Sequence, residues 1–246
     1  YFSWLGNICH LNFGKSFINQ REVLSEVFDP GRIGTSFIVA AVSTVFEFLI
    51  AIPLGITAAT HQYSVRDYVV TVLVLVGISL PSFFFGQLLK DIFANKLGWF
   101  PVFGAKQWSS IVLPAISLGL MNMASIARTT RSSMVETIRQ DYIRTAYAKG
   151  LPKRTVIMRH AFRNGLLPTI TVIGLEIGQM LGGSVLTETV FAWPGIGRLM
   201  IQSVNGRDTP TVMGCIILMT VCFSIVNLLV DLLYGVFDPR VRTMYH

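Results

Sequence analysis

Ionisable side chains inside long apolar runs are the first candidates for chemistry, and there are few of them. Glu47, Glu176 and Asp231 each stand in such a run. An acid placed there must face protein or water, and it marks a functional site more often than an acid on a soluble surface does. Glu176 has Gln179 about one turn further on, and both are candidates to line a wet central cavity and meet a cationic group. Glu47 joins them on the same ground, with hydrogen bonding between helices as the competing role for all three. Asp231 lies near the end of its run, where Arg240, Arg242 or backbone would partner it. Three scattered acids fall short of a proton relay across a membrane.

Nucleophilic and metal chemistry have less support. Gly14-Lys15-Ser16 has the last residues of a phosphate-binding loop, but the first glycine of that motif would fall at Cys9 and no strand precedes it. His10, His61, His160 and His246 all lie outside the apolar runs, so no His-x-x-x-His pair forms and no metal or other cofactor is expected. Ser79, Ser117, Ser184 and Ser224 have no histidine to act as base, and helix-to-helix hydrogen bonding fits them better. Cys215 and Cys222 are about 10 Å apart along a helix, beyond bridging reach, and with Cys9 they read as packing residues.

The elements that must hold these residues are membrane helices. Of 246 residues 52% are hydrophobic and 13% charged, against about 25% charged in an ordinary soluble domain. So few charges cannot cover a soluble surface, and the scarcity of polar tracts excludes a disordered tail or a nucleic-acid-binding arm. Membrane lipid is expected as a partner and nucleic acid is not. Residues 68–89, 107–127 and 209–230 carry no charge, and each run is long enough at about 1.5 Å per residue to cross a roughly 30 Å hydrocarbon layer. Residues 33–60 and 164–187 are as long with one acid each. The expected fold is all-α, a polytopic transmembrane helix bundle with five spans.

Charge sets the orientation. Segment 128–163 holds nine Lys or Arg against Glu136 and Asp141, which places it in the cytoplasm. Alternation puts 61–67 and the tail from 238 on the same side, giving twelve basic residues there against eight on the outer segments. The N-terminus of the chain is then outside and the C-terminus cytoplasmic. The expected organisation is an extracytoplasmic segment, 1–32, and a transmembrane domain, 33–246, with a cytoplasmic loop, 128–163. Residues 1–32 show no basic region followed by an apolar core, so a further span upstream, six in all, is expected.

Gly174, Gly178 and Gly182 form a flat stripe for close helix approach. Pro53 and Pro81 are expected to kink their spans, while Pro114 and Pro168 should fall near helix starts. In the basic segment, Val135, Ile138, Tyr142 and Ala146 recur at helical spacing, which predicts an amphipathic helix over 134–150. Gly150-Leu151-Pro152 ends it sharply. Such a helix suits either anionic lipid head groups or a cytoplasmic partner.

Six stretches in order along the chain carry a resemblance: 79–82 (SLPS), 97–101 (LGWFP), 141–151 (DYIRTAYAKGL), 159–168 (RHAFRNGLLP), 188–198 (ETVFAWPGIGR) and 227–242 (NLLVDLLYGVFDPRVR). Together they resemble the permease family of binding-protein-dependent ABC importers, in its dipeptide, oligopeptide and nickel branch. In that family a Glu-Ala-Ala-x-x-x-Gly motif docks the permease on its ATPase. Its positions here read Arg144, Thr145, Ala146 and Gly150, with Lys149 and Leu151 beside the glycine, and Arg144 stands where the general motif has an acid.

The resemblance implies a type I importer permease, located in the bacterial cytoplasmic (inner) membrane, without catalytic residues of its own. It further implies a second homologous permease subunit, two ATPase subunits that hydrolyse ATP, and an extracytoplasmic solute-binding protein that delivers peptides or a related small solute. Glu47, Glu176 and Gln179 become candidates for the translocation pathway. Glu188, Phe191, Trp193, Pro194 and Gly195 become candidates for an outer gate and binding-protein contact. An ion-coupled secondary transporter is the alternative, and an intramembrane enzyme a third class that lacks a nucleophile with its base.

Overall fold

The computed structural model describes residues 6–8, 10, 12–105 and 107–237. Cys9, His246, and the Arg240 and Arg242 expected to partner Asp231, lie outside the described residues. The elements in order are α1 (Val23–Val27), α2 (Pro30–Thr60), α3 (Val65–Ser79) and α4 (Ser82–Leu89), which widens into a π-helical turn at Lys90–Lys96. A 3-10 turn (Trp108–Ile111) leads into α5 (Val112–Ile138), followed by α6 (Asp141–Ala148) and α7 (Lys153–Thr155). A π-helical turn (Val156–Ala161) then runs into α8 (Phe162–Val190), before α9 (Ile196–Asn205) and α10 (Thr209–Phe237). Segments 23–60 and 209–230 are each long and apolar enough to cross a membrane, and three interrupted helix pairs bring the count to as many as five.

Local chemistry sets the boundaries. Asp29 accepts the Gly31 N–H at 2.9 Å and Pro30 opens α2, where a missing N–H costs nothing. Ser64 caps α3 through the Asp67 N–H. The run 68–89 was expected to kink at Pro81, but it is carried by two helices. Leu80 is extended (φ −100°, ψ 127°) because the residue before a proline is pushed out of the helical region. Pro168, expected near a helix start, lies inside α8, since the turn at 156–161 carries the helical path further back than composition suggests. The helix expected over 134–150 is divided as well: α5 runs on to Ile138, Gln140 is extended, and α6 starts afresh at Asp141.

The chain forms two compact units. The first comprises 1–43, 82–118 and 178–226. Val23 and Val27 of α1 pack there on Ile196 and Leu199 of α9 and on Cys215 and Leu218 of α10. A second cluster joins Val39, Ala40, Leu118 and Met180 around Trp193, and a third joins Leu89, Ala94 and Leu113 around Phe191. The second unit comprises 44–81, 119–177 and 227–246. Its core runs from Ala51, Ile126 and Ala127 to a cluster of Ala59, Met134, Ile143, Ala146, Val156 and Ala161.

Glycine permits the closest approaches in that second unit. A Cβ on Gly55 would stand 2.8 Å from the Ala127 carbonyl oxygen and 2.6 Å from Thr130 Cβ, so α2 and α5 meet there almost backbone to backbone. Gly174, the first residue of the glycine stripe, is filled by Val230 of α10. That position therefore serves packing within the chain.

Candidate functional site

The segment 188–198 is a turn that its own side chains hold rigid. At the end of α8 the Ala192 N–H bonds the Thr189 carbonyl and the Trp193 N–H bonds the Glu188 carbonyl at 2.8 Å, the pairing of a helix end closed by one left-handed residue. That residue is Ala192, at φ 51°. Arg198 donates to the Ala192 carbonyl at 2.6 Å, and Trp193 Nε1 donates to the Thr35 carbonyl at 3.1 Å.

The Glu188 carboxylate is fully buried in the first unit. It accepts the Ser36 hydroxyl at 2.7 Å and the Arg198 N–H at 3.1 Å, with Ser184 and the Gly197 N–H as further donors. Two of these donors are free N–H groups in the first turn of α9, where a negative charge is stabilised by the helix dipole. A Cβ at Gly195 would collide with this carboxylate, and one at Gly197 would come within 2.5 Å of Val185 Cα. Of the residues expected at an outer gate, Glu188, Phe191, Trp193 and Gly195 are buried and Pro194 is exposed.

In the second unit Glu47 and Glu176 are brought within electrostatic reach of each other. Glu47 is fully buried, and neither of its oxygens finds a hydrogen-bond partner among the described residues. Glu176 is 8% exposed and takes a hydrogen bond from Ser125, while its Oε2 has none. Gln179 is exposed.

The segment 141–151 turns its charged side chains outward. Ile143 and Ala146 of α6 are buried against Met134, Val156 and Ala161, while Arg144, Thr145, Lys149 and Gly150 are exposed. The helix closes on Gly150 at φ 77°: its N–H bonds the Tyr147 carbonyl at 2.9 Å, the Leu151 N–H bonds Ala146, and Leu151 packs on the cluster containing Ala146. The sharp end expected at Gly150 is therefore a left-handed helix cap, with open space around the position of a Cβ.

Sequence reasoning missed several side chains that position these surfaces. Arg131 grips Asp67 with two hydrogen bonds, 2.6 and 2.7 Å, and ties the start of α3 to α5. Asp208 caps α10 and also accepts the Ser16 hydroxyl and the Phe17 N–H, which holds the 15–22 hairpin in place. Burial raises the Asp208 pKa, but these donors outweigh it and leave the group below its ordinary value. Lys90 is buried, donates to the Val190 carbonyl at 2.9 Å and lies 5.1 Å from the centre of the Phe103 ring. These partners lie far apart in sequence; Ser36 and Glu188, for example, sit on α2 and α8.

Long apolar helices with buried intramembrane acids and one exposed, basic, rigidly packed helical segment define a multi-pass membrane transport subunit. Residues 51–243 match the family described as the binding-protein-dependent transport system inner membrane component. An oligopeptide transport system permease protein of Bacillus subtilis is 38% identical over 98% of this chain and 79% of its own length. A dipeptide transport system permease protein of Alkalihalophilus pseudofirmus is 38% identical over 94% of this chain and 77% of its own. A glutathione transport system permease protein of Salmonella choleraesuis is 37% identical over 98% and 78%. Among solved structures, an inward-facing methionine ABC transporter chain superposes with a TM-score of 0.71 at 16% identity, covering 83% of this chain and 94% of that one.

The chain belongs to the family of inner membrane components of binding-protein-dependent transport systems. It is a multi-pass permease subunit of an ABC importer with the type I permease fold, and neither a secondary transporter nor itself the catalytic subunit. Membership implies an ATPase and a solute-binding protein as partners.

Proposed function

We propose that this permease imports short peptides or a closely related small solute, pairing with a second homologous permease and coupling to two separate ATPase subunits. The relatives described above carry oligopeptides, dipeptides and glutathione in their names, and peptide chemistry is what these share. In this reading α6 and the Gly150 turn face the cytoplasm and dock in the ATPase. Arg144, Thr145 and Lys149 meet the partner, while Ala146 and Leu151 fix the helix to the bundle. The N-terminus of the chain and the 188–198 turn lie outside, where Pro194 is the contact offered to the binding protein. Gln179, Glu176 and Glu47 are each candidates for the pathway. The 1–32 segment belongs to the outer face and 33–246 to the transmembrane domain.

The observation that supports this most is the combination at 141–151 of a buried apolar face, an exposed polar face and a glycine-locked end. Such a helix transmits a push from its surface to α5 and α8 without absorbing it. Reconstitution in proteoliposomes with the cognate ATPases and binding protein tests the reading: peptide-loaded binding protein should stimulate ATP hydrolysis and uptake together. Uptake driven by an ion gradient without ATPases would overturn it. Cysteine at the exposed Ser132 should be labelled from the cytoplasm only, and labelling from outside would reverse the orientation.

A further inference from the structure

A groove of about 440 Å³ opens in the second unit, where the end of α2 meets α7 and the turn after it. Its lining joins the apolar Ile56, Ile157 and Met158 to Thr60, His61, Lys153 and Arg154, and the two exposed cations form its basic rim. No carboxylate lines it. Lys153 and Arg154 are exposed and have no ion-pair or hydrogen-bond partner among the described residues. Arg66 adds a further cation behind the rim, since its guanidinium lies 3.3 Å from His61 Nε2. The acid nearest to Arg66 in sequence, Asp67, is occupied by Arg131.

The groove also has an approach. Val45 and Leu49 on α2 are 56% and 71% exposed, and the half-buried Ile52 and Ile56, which also pack on the core clusters, follow at the same helical spacing, so one apolar stripe descends α2 and ends in the basic rim. From Val45 to Ile56 the stripe covers about 16 Å of helix, half of a roughly 30 Å hydrocarbon layer. An apolar track one leaflet long that ends in unpaired cations has the form of one kind of molecule. A soluble protein partner would meet the rim but has no reason to reach Leu49, and a free anion would leave the track empty.

We infer that this groove is a binding site for one anionic phospholipid, with its phosphate held by Lys153 and Arg154 and an acyl chain laid along Ile56, Leu49 and Val45. The inference goes beyond transport and rests only on the chain being a multi-pass membrane protein, so it stands or falls independently of the peptide reading. Each basic group near an anionic headgroup contributes on the order of a fivefold gain in affinity.

The test uses the assembled importer, purified and stripped of lipid, with bound lipids counted by native mass spectrometry during titration with phosphatidylglycerol or phosphatidylcholine. The wild type should take up one phosphatidylglycerol per copy of this chain in preference to phosphatidylcholine. The double variant Lys153→Gln with Arg154→Gln should bind that phosphatidylglycerol about 30-fold more weakly and phosphatidylcholine unchanged. Both residues are exposed, so folding is preserved. The pair Arg159→Gln with Arg163→Gln removes the same charge from exposed positions outside the groove and should leave binding intact. Equal binding by variant and wild type, or equal loss in the control pair, would overturn the site. Displacement of the lipid by millimolar inorganic phosphate would make it a free-anion site instead. Loss of the ATPases from the double variant with lipid binding unchanged would make the groove a protein contact.

Discussion

Two helix ends in this permease share one backbone device and put it to opposite uses. Both α6 and α8 close on a single left-handed residue with the same pair of hydrogen bonds, Gly150 after α6 and Ala192 after α8. Around Ala192 the flanking side chains turn inward: Glu188, Phe191 and Trp193 are buried, and the Glu188 carboxylate collects donors from Ser36, Ser184 and the start of α9. Around Gly150 most of them turn outward: Ile143, Ala146 and Leu151 pack the helix on its neighbours, and one side-chain hydrogen bond, from Asn164 Nδ2 to the Tyr142 hydroxyl at 2.9 Å, ties it to α8. The same local geometry thus makes a fixed strut in one unit and a presented surface in the other. What separates them is the number of polar partners supplied by distant segments.

The strut should fail most severely when its carboxylate goes. Glu188→Leu strands the Ser36 hydroxyl and two α9 N–H groups in a buried site, an expected loss of about 3–5 kcal/mol, read as a lower melting temperature of the purified complex. A loss under about 1 kcal/mol would show that the network is ornamental. The next effect in size belongs to the surface. Gly150→Val forces a β-branched residue into the left-handed region and should cost about 1–2 kcal/mol, with stimulation of ATP hydrolysis by loaded binding protein reduced. Gly150→Asn, which tolerates that region, should retain most of both.

Ala192 offers the converse substitution. Ala192→Gly relieves strain at φ 51° and should gain up to about 1 kcal/mol, so a measured loss would mean that the Ala192 methyl packs better than its backbone is strained. The smallest stability effect is expected at Arg144, whose only ion pair among the described residues is an exposed contact with Asp141 at 3.7 Å. Arg144→Ala should leave melting within about 0.5 kcal/mol of wild type and yet lower coupled ATP hydrolysis. If it changes neither, α6 does not present this side chain to a partner.

Much of the second region was legible in the sequence and little of the first. The apolar period through Ile143 and Ala146 and the glycine at 150 announce a helix with one buried face and a sharp end, because both signals are local. Even there the break at Gln140 was hidden, since Val135, Ile138, Tyr142 and Ala146 keep one period across it. The 188–198 segment could be recognised as a motif, but its chemistry could not. An acid beside an aromatic turn reads as a surface contact until Ser36, on a helix at the other end of the chain, is known to face it. Proline shows the same limit. Pro81 was visible as a perturbation of its span, but whether it bends or ends the helix depends on Leu80 going extended. Glu47 and Glu176 were found as anomalies by composition alone, whereas their nearness to each other is a matter of packing.

The rigidity of the turn after α8 has a practical use. Pro194 is exposed, its carbonyl is held by Thr35 at 2.8 Å, and the Gly195 N–H closes back on Trp193 at 2.8 Å. A spin label or fluorophore at Pro194→Cys keeps both of those backbone bonds and sits on a segment with little freedom of its own. Distances measured from that position during the transport cycle will therefore report displacement of the helices beneath it, with little blurring from the loop.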